Sequence, residues 1–365
     1  MDEALIKDLK VQVYKVPTDS TESDGTFTWN STTMVLVQVQ AAGKWGIGYS
    51  YAHESAAVLI EKKLKQVLLG INAMSIEKCW YAMVNQVRNM GRPGIASHAI
   101  SAIDNALWDL KAKILNLPLC QLVGNVKDEI AVYGSGGFTS YSNKQMEEQF
   151  TGWLDLGITM IKMKIGGQPK QKDLKRIAEA RKIIGDENEL FVDANGAYSA
   201  IEAIAMADYF NSYQVTWFEE PVSSDNLQGL NEIRIKSPSP LAITAGEYGY
   251  DQYYFQKMLQ AAAVDVLQLD ATRCLGITGL IKSAHLAESF HIPVSAHTAP
   301  GIHLHPLLSM NNAVHIEYFY DHARIEKIFF DGIAEVKNGR LSPNLLRPGL
   351  GIELKIQDAD KYIAA

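Results

Sequence analysis

The sequence is short of cysteine, of basic tracts and of long apolar runs, and each shortage removes a class of function. Its three cysteines, Cys79, Cys120 and Cys274, are odd in number and widely spaced. No disulfide framework or paired metal-ligand spacing can be built from them, so they read as reduced core thiols. No stretch is long and apolar enough to span a bilayer. The N-terminal residues Met1 to Lys7 lack the basic region and apolar core of a secretory signal, which leads us to expect a cytoplasmic protein. A net charge of −7 without a basic tract argues against nucleic acid or an anionic membrane as partner. The glycine-rich Tyr133, Gly134, Ser135, Gly136, Gly137 matches neither phosphate-loop fingerprint. We read it as a strand exit, with Ser135 a candidate substrate contact.

What is present is an ordinary globular composition, 47% hydrophobic and 21% charged, over 365 residues. That length predicts one large domain and a smaller one. Residues 8–16 and 33–40 read as strands, separated by a polar stretch, 18–32, whose length and hydroxyl content suggest a lid loop. Helical periodicity dominates from about residue 55 to 117, where Pro118 stops it. Together these predict an α+β domain over 1–125. Short apolar strands then alternate with amphipathic helices, near 130–134, 161–165, 190–193, 215–219, 241–246, 265–270, 292–296 and 313–317. Eight such units predict an α/β fold of the TIM-barrel type over 126–325, with a doubly wound sheet as the runner-up. The turn-rich segment 326–365 is expected to return to the first domain.

The chemistry sits at the strand ends. Side chains alternate along a strand, so Lys162 and Lys164 share one face of the second barrel strand. Such a pair is commonly solvated. Flanked by Ile161, Met163 and Ile165, it reads instead as buried, and burial with a like charge nearby lowers a lysine pKa. The following strands end in Asp193, Glu219 (with Glu220 next), Glu247, Asp270, His297 and Glu317, at intervals of 20 to 28 residues, about one β/α unit. In a TIM barrel these ends surround one site. Three carboxylates on adjacent strands, Asp193, Glu219 and Glu247, would repel unless a cation lies between them, and oxygen-only donors favour a hard ion such as Mg²⁺. Zinc on His297, His303 and His305 is the weaker alternative, since only His297 falls at a strand end. Asp270 can orient His297 as a general acid or base. Glu317 could donate a hydrogen bond to a developing oxyanion if kept protonated. Asn195, two beyond Asp193, would lie near the metal.

Taken as a set, Lys162, Lys164, Asp193, Glu219, Glu247, Asp270, His297 and Glu317 resemble the enolase superfamily, and specifically its mandelate racemase-like subgroup. The resemblance spans essentially the whole chain and implies a modified TIM barrel with an N-terminal capping domain. It also implies Mg²⁺ held by Asp193, Glu219 (rather than Glu220) and Glu247. The implied chemistry is removal of the proton α to a carboxylate, giving an enediolate, with Lys164 as acid/base and Lys162 lowering its pKa and binding the carboxylate. The polar 18–32 stretch favours dehydration of a sugar acid, an aldonate or aldarate, to a 2-keto-3-deoxy acid, and Trp29 could stack on a sugar face. Racemisation or epimerisation of a 2-hydroxy acid is the alternative. A Schiff-base aldolase through Lys164, or a binder without catalysis, is a further option. The partners expected are a small carboxylate and, from the resemblance, further copies of the chain.

Overall fold

A computed structural model describes residues 4–364; Met1 to Glu3 of the N-terminal stretch and Ala365 lie outside it. Three antiparallel strands come first, β1 (Asp8–Ser23), β2 (Thr28–Ala41) and β3 (Lys44–Tyr51), in the order β1-β2-β3. Alternation along β2 buries both faces. Val35, Val37 and Val39 pack into the helical layer of the cap, while Met34 and Leu36 join the barrel core. The helix Ile95–Leu115 lies flush on this sheet: a Cβ on Gly46 or Gly48 of β3 would come within 2.3 Å of its backbone. Only glycine permits that approach. Asn116 ends the helix in the left-handed region.

The polar stretch 18–32 is not a loop. β1 and β2 run through it as a hairpin that turns at 24–27, where Asp24 Oδ1 accepts from the amides of Thr26 (2.6 Å) and Phe27 (2.7 Å). A register shift between Pro17 and Glu22 accommodates the extra residues. Threonine-rich strands that look like loop by polarity keep good β propensity, and here the hairpin gains partners across the barrel mouth. Thr139 donates its amide to Ser23 O (2.8 Å) and its hydroxyl to Asp24 O (2.9 Å).

Eight parallel strands follow: β4 (Ile130–Gly136), β5 (Met160–Lys164), β6 (Glu189–Asp193), β7 (Val215–Glu219), β8 (Ala242–Ala245), β9 (Val266–Leu269), β10 (Val294–Ala296) and β11 (Ala313–Phe319). β11 pairs with β4, which closes the sheet. Closure excludes the doubly wound alternative, whose sheet has free edges. Inside the barrel, Tyr133, Phe191 and Trp217 stack with His315 into a layer below the strand ends. Among the described residues, no helix is long and apolar enough to cross a membrane.

The tail contributes β12 (Phe330–Asp331), β13 (Arg340–Leu341) and β14 (Glu353–Leu354). β13 pairs with β4, β14 with β12, and the Ala364 amide donates to Val13 O of the cap (2.9 Å). One buried carboxylate ties the pieces together. Asp109, on the long cap helix, accepts from the amides of Ile47 (2.8 Å) and Leu350 (2.7 Å) and pairs with Lys113 (2.9 Å). Asp109→Ala leaves two buried amides unpartnered and leaves the Lys113 ammonium only Glu353 (2.9 Å), so it should cost about 3–5 kcal/mol of unfolding free energy by denaturant titration. A loss under about 1 kcal/mol would show that the tail is held by other contacts.

Candidate active site

Parallel pairing in register sets the first three groups side by side. Lys164 of β5 is opposite Asp193 of β6, and Asp193 is opposite Glu219 of β7. Glu247 follows Gly246, which bends the chain at φ +136° with its α-carbon pressed on Gln268; a Cβ there would lie 2.2 Å from Gln268 O. The bend delivers Glu247 to the same cluster. Asp193, Glu219 and Glu247 each present an oxygen within 4.8 Å of the others, and all three are buried.

Lys162 is fully buried beneath them. Its Nζ donates to Glu219 Oε1 (2.6 Å) and Oε2 (2.7 Å) and lies 2.8 Å from Glu317 Oε1. Lys164 donates to Asp193 Oδ2. Burial alone would lower both lysines, as the sequence suggests, but the carboxylates outweigh it. Glu219 and Glu317 raise Lys162 well above its usual value, and Asp193 raises Lys164 although Lys162 opposes it. The like-charge effect is present; it loses to the acids. Glu317 also departs from expectation. Burial would raise it, yet Lys162 and His297 hold it below the usual carboxylate range, so in this arrangement it accepts, including from the Thr298 amide (3.0 Å), and offers no proton.

His297 Nδ1 is 2.8 Å from Asp270 Oδ2, while Nε2 faces Glu247 Oε2 at 3.3 Å. Despite burial, the hydrogen bond and charge of His297 keep Asp270 below its ordinary value. A charged Asp270 fixes the proton on Nδ1 and leaves Nε2 for the cleft. His303 and His305 serve the scaffold. His303 Nε2 accepts from the Ala271 amide (2.8 Å), and His305 Nδ1 accepts from the Cys120 amide (3.2 Å). Neither turns towards a shared ion, which removes the zinc alternative built on the three histidines.

Two contributors escape the sequence reading, and Glu220, set aside there in favour of Glu219 as ligand, is a third. Gln268 Nε2 donates to Glu219 Oε2 (2.7 Å) and Tyr133 Oη (3.0 Å); it sits two before Asp270, on the same strand face, and period-two counting would have found it. Arg273 Nη1 donates to Glu247 O (3.1 Å) and Oε1 (3.2 Å), with Nε 3.4 Å from Asp270 Oδ2. Its signal is a spacing of three from Asp270. Glu220 is buried in the left-handed region at φ +39°, one oxygen without a hydrogen bond. Burial and the charges of Glu247 and Asp193 raise it well above its usual value, and burial and Asp193 do the same to Glu219. Six carboxylates thus share this region with three permanent cations. The buried Glu247 Oε2 and Asn195 Oδ1 make no hydrogen bond. Hard oxygen donors with surplus negative charge fit a divalent cation.

Above the cluster lies a cleft of about 250 Å³, walled by Lys164, Asn195, Arg273 and His297 on one side and by the hairpin's Asp24 and Trp29 on the other. The structure therefore brings Asn195 and Trp29 to the cleft. It does not bring Ser135, which is fully buried on β4 and is not part of the cleft wall.

Comparisons of sequence and fold with known proteins bear on this arrangement. Residues 10–124 match the mandelate racemase / muconate lactonizing enzyme N-terminal domain, and residues 145–359 match the enolase C-terminal domain-like family. The chain belongs to the mandelate racemase/muconate lactonizing enzyme family of the enolase superfamily. It is 31% identical to arabinonate dehydratase of Saccharolobus solfataricus, over 90% of each chain. Its fold is similar to a mandelate racemase/muconate lactonizing enzyme-like protein from Rubrobacter xylanophilus, at TM-score 0.96 and 44% identity, over 99% of this chain and 100% of that one. A racemase from Streptomyces coelicolor solved with bound magnesium is also similar, at TM-score 0.93 and 28% identity, with coverage of 99% and 100%.

The roof carries its own titratable group. Trp29 Nε1 donates to Glu22 Oε2 (2.9 Å), and Glu22 is fully buried. Burial, with Asp321 adding, pushes its carboxyl up to about 8 from an ordinary 4.5. The folded chain therefore holds this proton over a range where the unfolded chain releases it. The stabilisation is complete below pH 4.5 and is lost as pH rises to about 8. In thermal melts from about pH 5 to about pH 8.5, Glu22→Gln should lose less Tm than the unmodified chain. Parallel slopes would mean that Glu22 ionises normally.

Proposed function

We propose that this chain catalyses Mg²⁺-dependent removal of the proton α to a carboxylate, and that its reaction is dehydration of a sugar acid to a 2-keto-3-deoxy acid. The observation that carries the reading is one cleft that exposes two acid/base groups, Lys164 and His297, beside the Asp193, Glu219, Glu247 trio. The trio would hold the ion. When bound, Mg²⁺ supplies neutralisation of the substrate carboxylate and competes with both lysines for the carboxylates.

The chain's own residues do the rest. With Asp193 engaged by the ion, Lys164 Nζ would be freed from the pairing that keeps it an ammonium and, as the neutral amine, take the α-proton, while the charge of Lys162 below helps to hold the substrate carboxylate. Asp270 holds the Nδ1 proton and supports the imidazolium of His297, whose Nε2–H passes its proton to the β-hydroxyl as the C–O bond breaks, so that the group leaves as water and His297 is left neutral. Glu317, accepting from Thr298 and paired with Lys162, positions these two rather than donating to the oxyanion. Asn195 and Trp29 contact the sugar chain. The dehydratase relative supports this choice of reaction. A pair of acid/base groups in one cleft also suits racemisation or epimerisation, and the magnesium-bound racemase supports that as the second reading. We further propose that the enzyme works as a homo-oligomer, which light scattering on the purified protein would test.

The deciding experiment is a screen of purified, Mg²⁺-loaded protein against acid sugars, read by 2-keto acid formation. Product that disappears on chelation is expected; α-proton exchange in D₂O without keto product would favour the racemase reading. Lys164→Ala should lower kcat by about 10³-fold. Activity within about tenfold of the unmodified enzyme would remove Lys164 from the chemistry.

A further inference from the structure

We propose that the site selects monocarboxylic sugar acids, the aldonates, over dicarboxylic aldarates, because the end of the cleft under the hairpin has no cation to receive a second carboxylate. This deepens the dehydratase reading and rests on it. One substrate carboxylate is accounted for by the ion site on the barrel side. A second, at the far end of an aldarate, would have to be received by the roof.

Among the described residues, the lysine and arginine side chains that line the cleft are Lys164 and Arg273, both on the barrel side. Both stand beside the ion site, where the first carboxylate is received, Lys164 next to Asp193 and Arg273 next to Glu247 and Asp270, and neither reaches the roof. Opposite them the hairpin presents Asp24, Phe27, Trp29, Ser31 and Thr32. Asp24 is fixed by the two amides of its own turn, so its negative charge stays at the roof. Phe27 and Trp29 stack at 6.3 Å and 14°, giving a flat apolar face.

His322 also lines the cleft, but it is no cation. It stacks on Tyr51 at 3.4 Å, and burial, with His297 adding, holds its imidazole well below the ordinary value. Arg324 lines a separate groove and is engaged by Asp321 and by Pro17 O (2.6 Å). A terminal carboxylate would therefore meet Asp24 without compensation, a like-charge contact in a partly desolvated cleft. Hydroxyls meet the opposite situation. They can donate to Asp24 and exchange hydrogen bonds with Ser31, while the C–H faces of the chain lie against the Phe27–Trp29 stack. The cleft volume, about 250 Å³, suits a small acyclic acid.

The test compares matched pairs of equal carbon number and configuration: arabinonate with arabinarate, galactonate with galactarate, gluconate with glucarate. For the pair that is turned over, kcat/KM should favour the monoacid by about 100-fold. Calorimetric binding of the same pairs to Mg²⁺-loaded Lys164→Ala gives the discrimination without turnover. Ser31→Arg, which adds a cation at the roof, should shift the ratio towards the aldarate by about tenfold. Aldarates equal to or better than aldonates, no measurable binding of either, or an unchanged ratio in folded Ser31→Arg would overturn the proposal. Tighter aldonate binding without keto product from any acid would support the selectivity and refute the dehydration reading, which keeps the two claims separable.

Discussion

Six carboxylates packed against three permanent cations at the mouth of a barrel set the terms for the rest of this structure. Isolated charges at such depth are costly, and they persist only where each is paired or hydrogen-bonded. Lys162 illustrates the constraint: it is fully buried and makes close contacts with Glu219 and Glu317. Beneath it the aromatic layer of Tyr133, Phe191 and Trp217 excludes water, and Trp217 Nε1 still donates to Glu219 Oε2 (2.9 Å). The floor of the site is thus also part of its charge compensation.

The capping layer completes what the barrel begins. The hairpin closes over the strand ends through Thr139, and its Trp29 and Asp24 become walls of the cleft. At the opposite side of the cap, Asp109 joins sheet, helix and tail through buried hydrogen bonds. The cap thus walls the cleft with its hairpin and holds the tail with its long helix. The roof chemistry is set by the hairpin, while the acid trio is set by the barrel, Asp193 and Glu219 by strand register and Glu247 by the bend at Gly246.

Much of this was legible in the sequence because it depends on regular periods. Strand alternation put Lys162 and Lys164 on one face, and the recurring β/α interval brought Asp193, Glu219, Glu247, Asp270, His297 and Glu317 to one rim. What depends on a particular fit was not legible. Polarity made 18–32 look like a loop although its strands pair locally, and the contacts that hold the hairpin at the barrel mouth lie more than a hundred residues away at Thr139 and Ser140. The sign of the lysine shifts followed from how many acids surround them, which pattern alone does not weigh. Ser135 lies on β4 opposite Lys162 of β5 and Phe319 of β11, buried within the barrel wall and away from the cleft. Arg273 lies in the segment after β9, where no strand period applies.

The central claim is that the trio Asp193, Glu219 and Glu247 binds a divalent ion independently of the base that does the chemistry. Calorimetric titration of Mg²⁺ tests it most directly. One equivalent should bind to the unmodified chain, and Glu247→Gln should weaken that binding by about 100-fold or more. Lys164→Ala should retain it, or bind more tightly because a competing ammonium is gone. Loss of Mg²⁺ binding in Lys164→Ala, with Glu247→Gln unaffected, would contradict the assignment of the site.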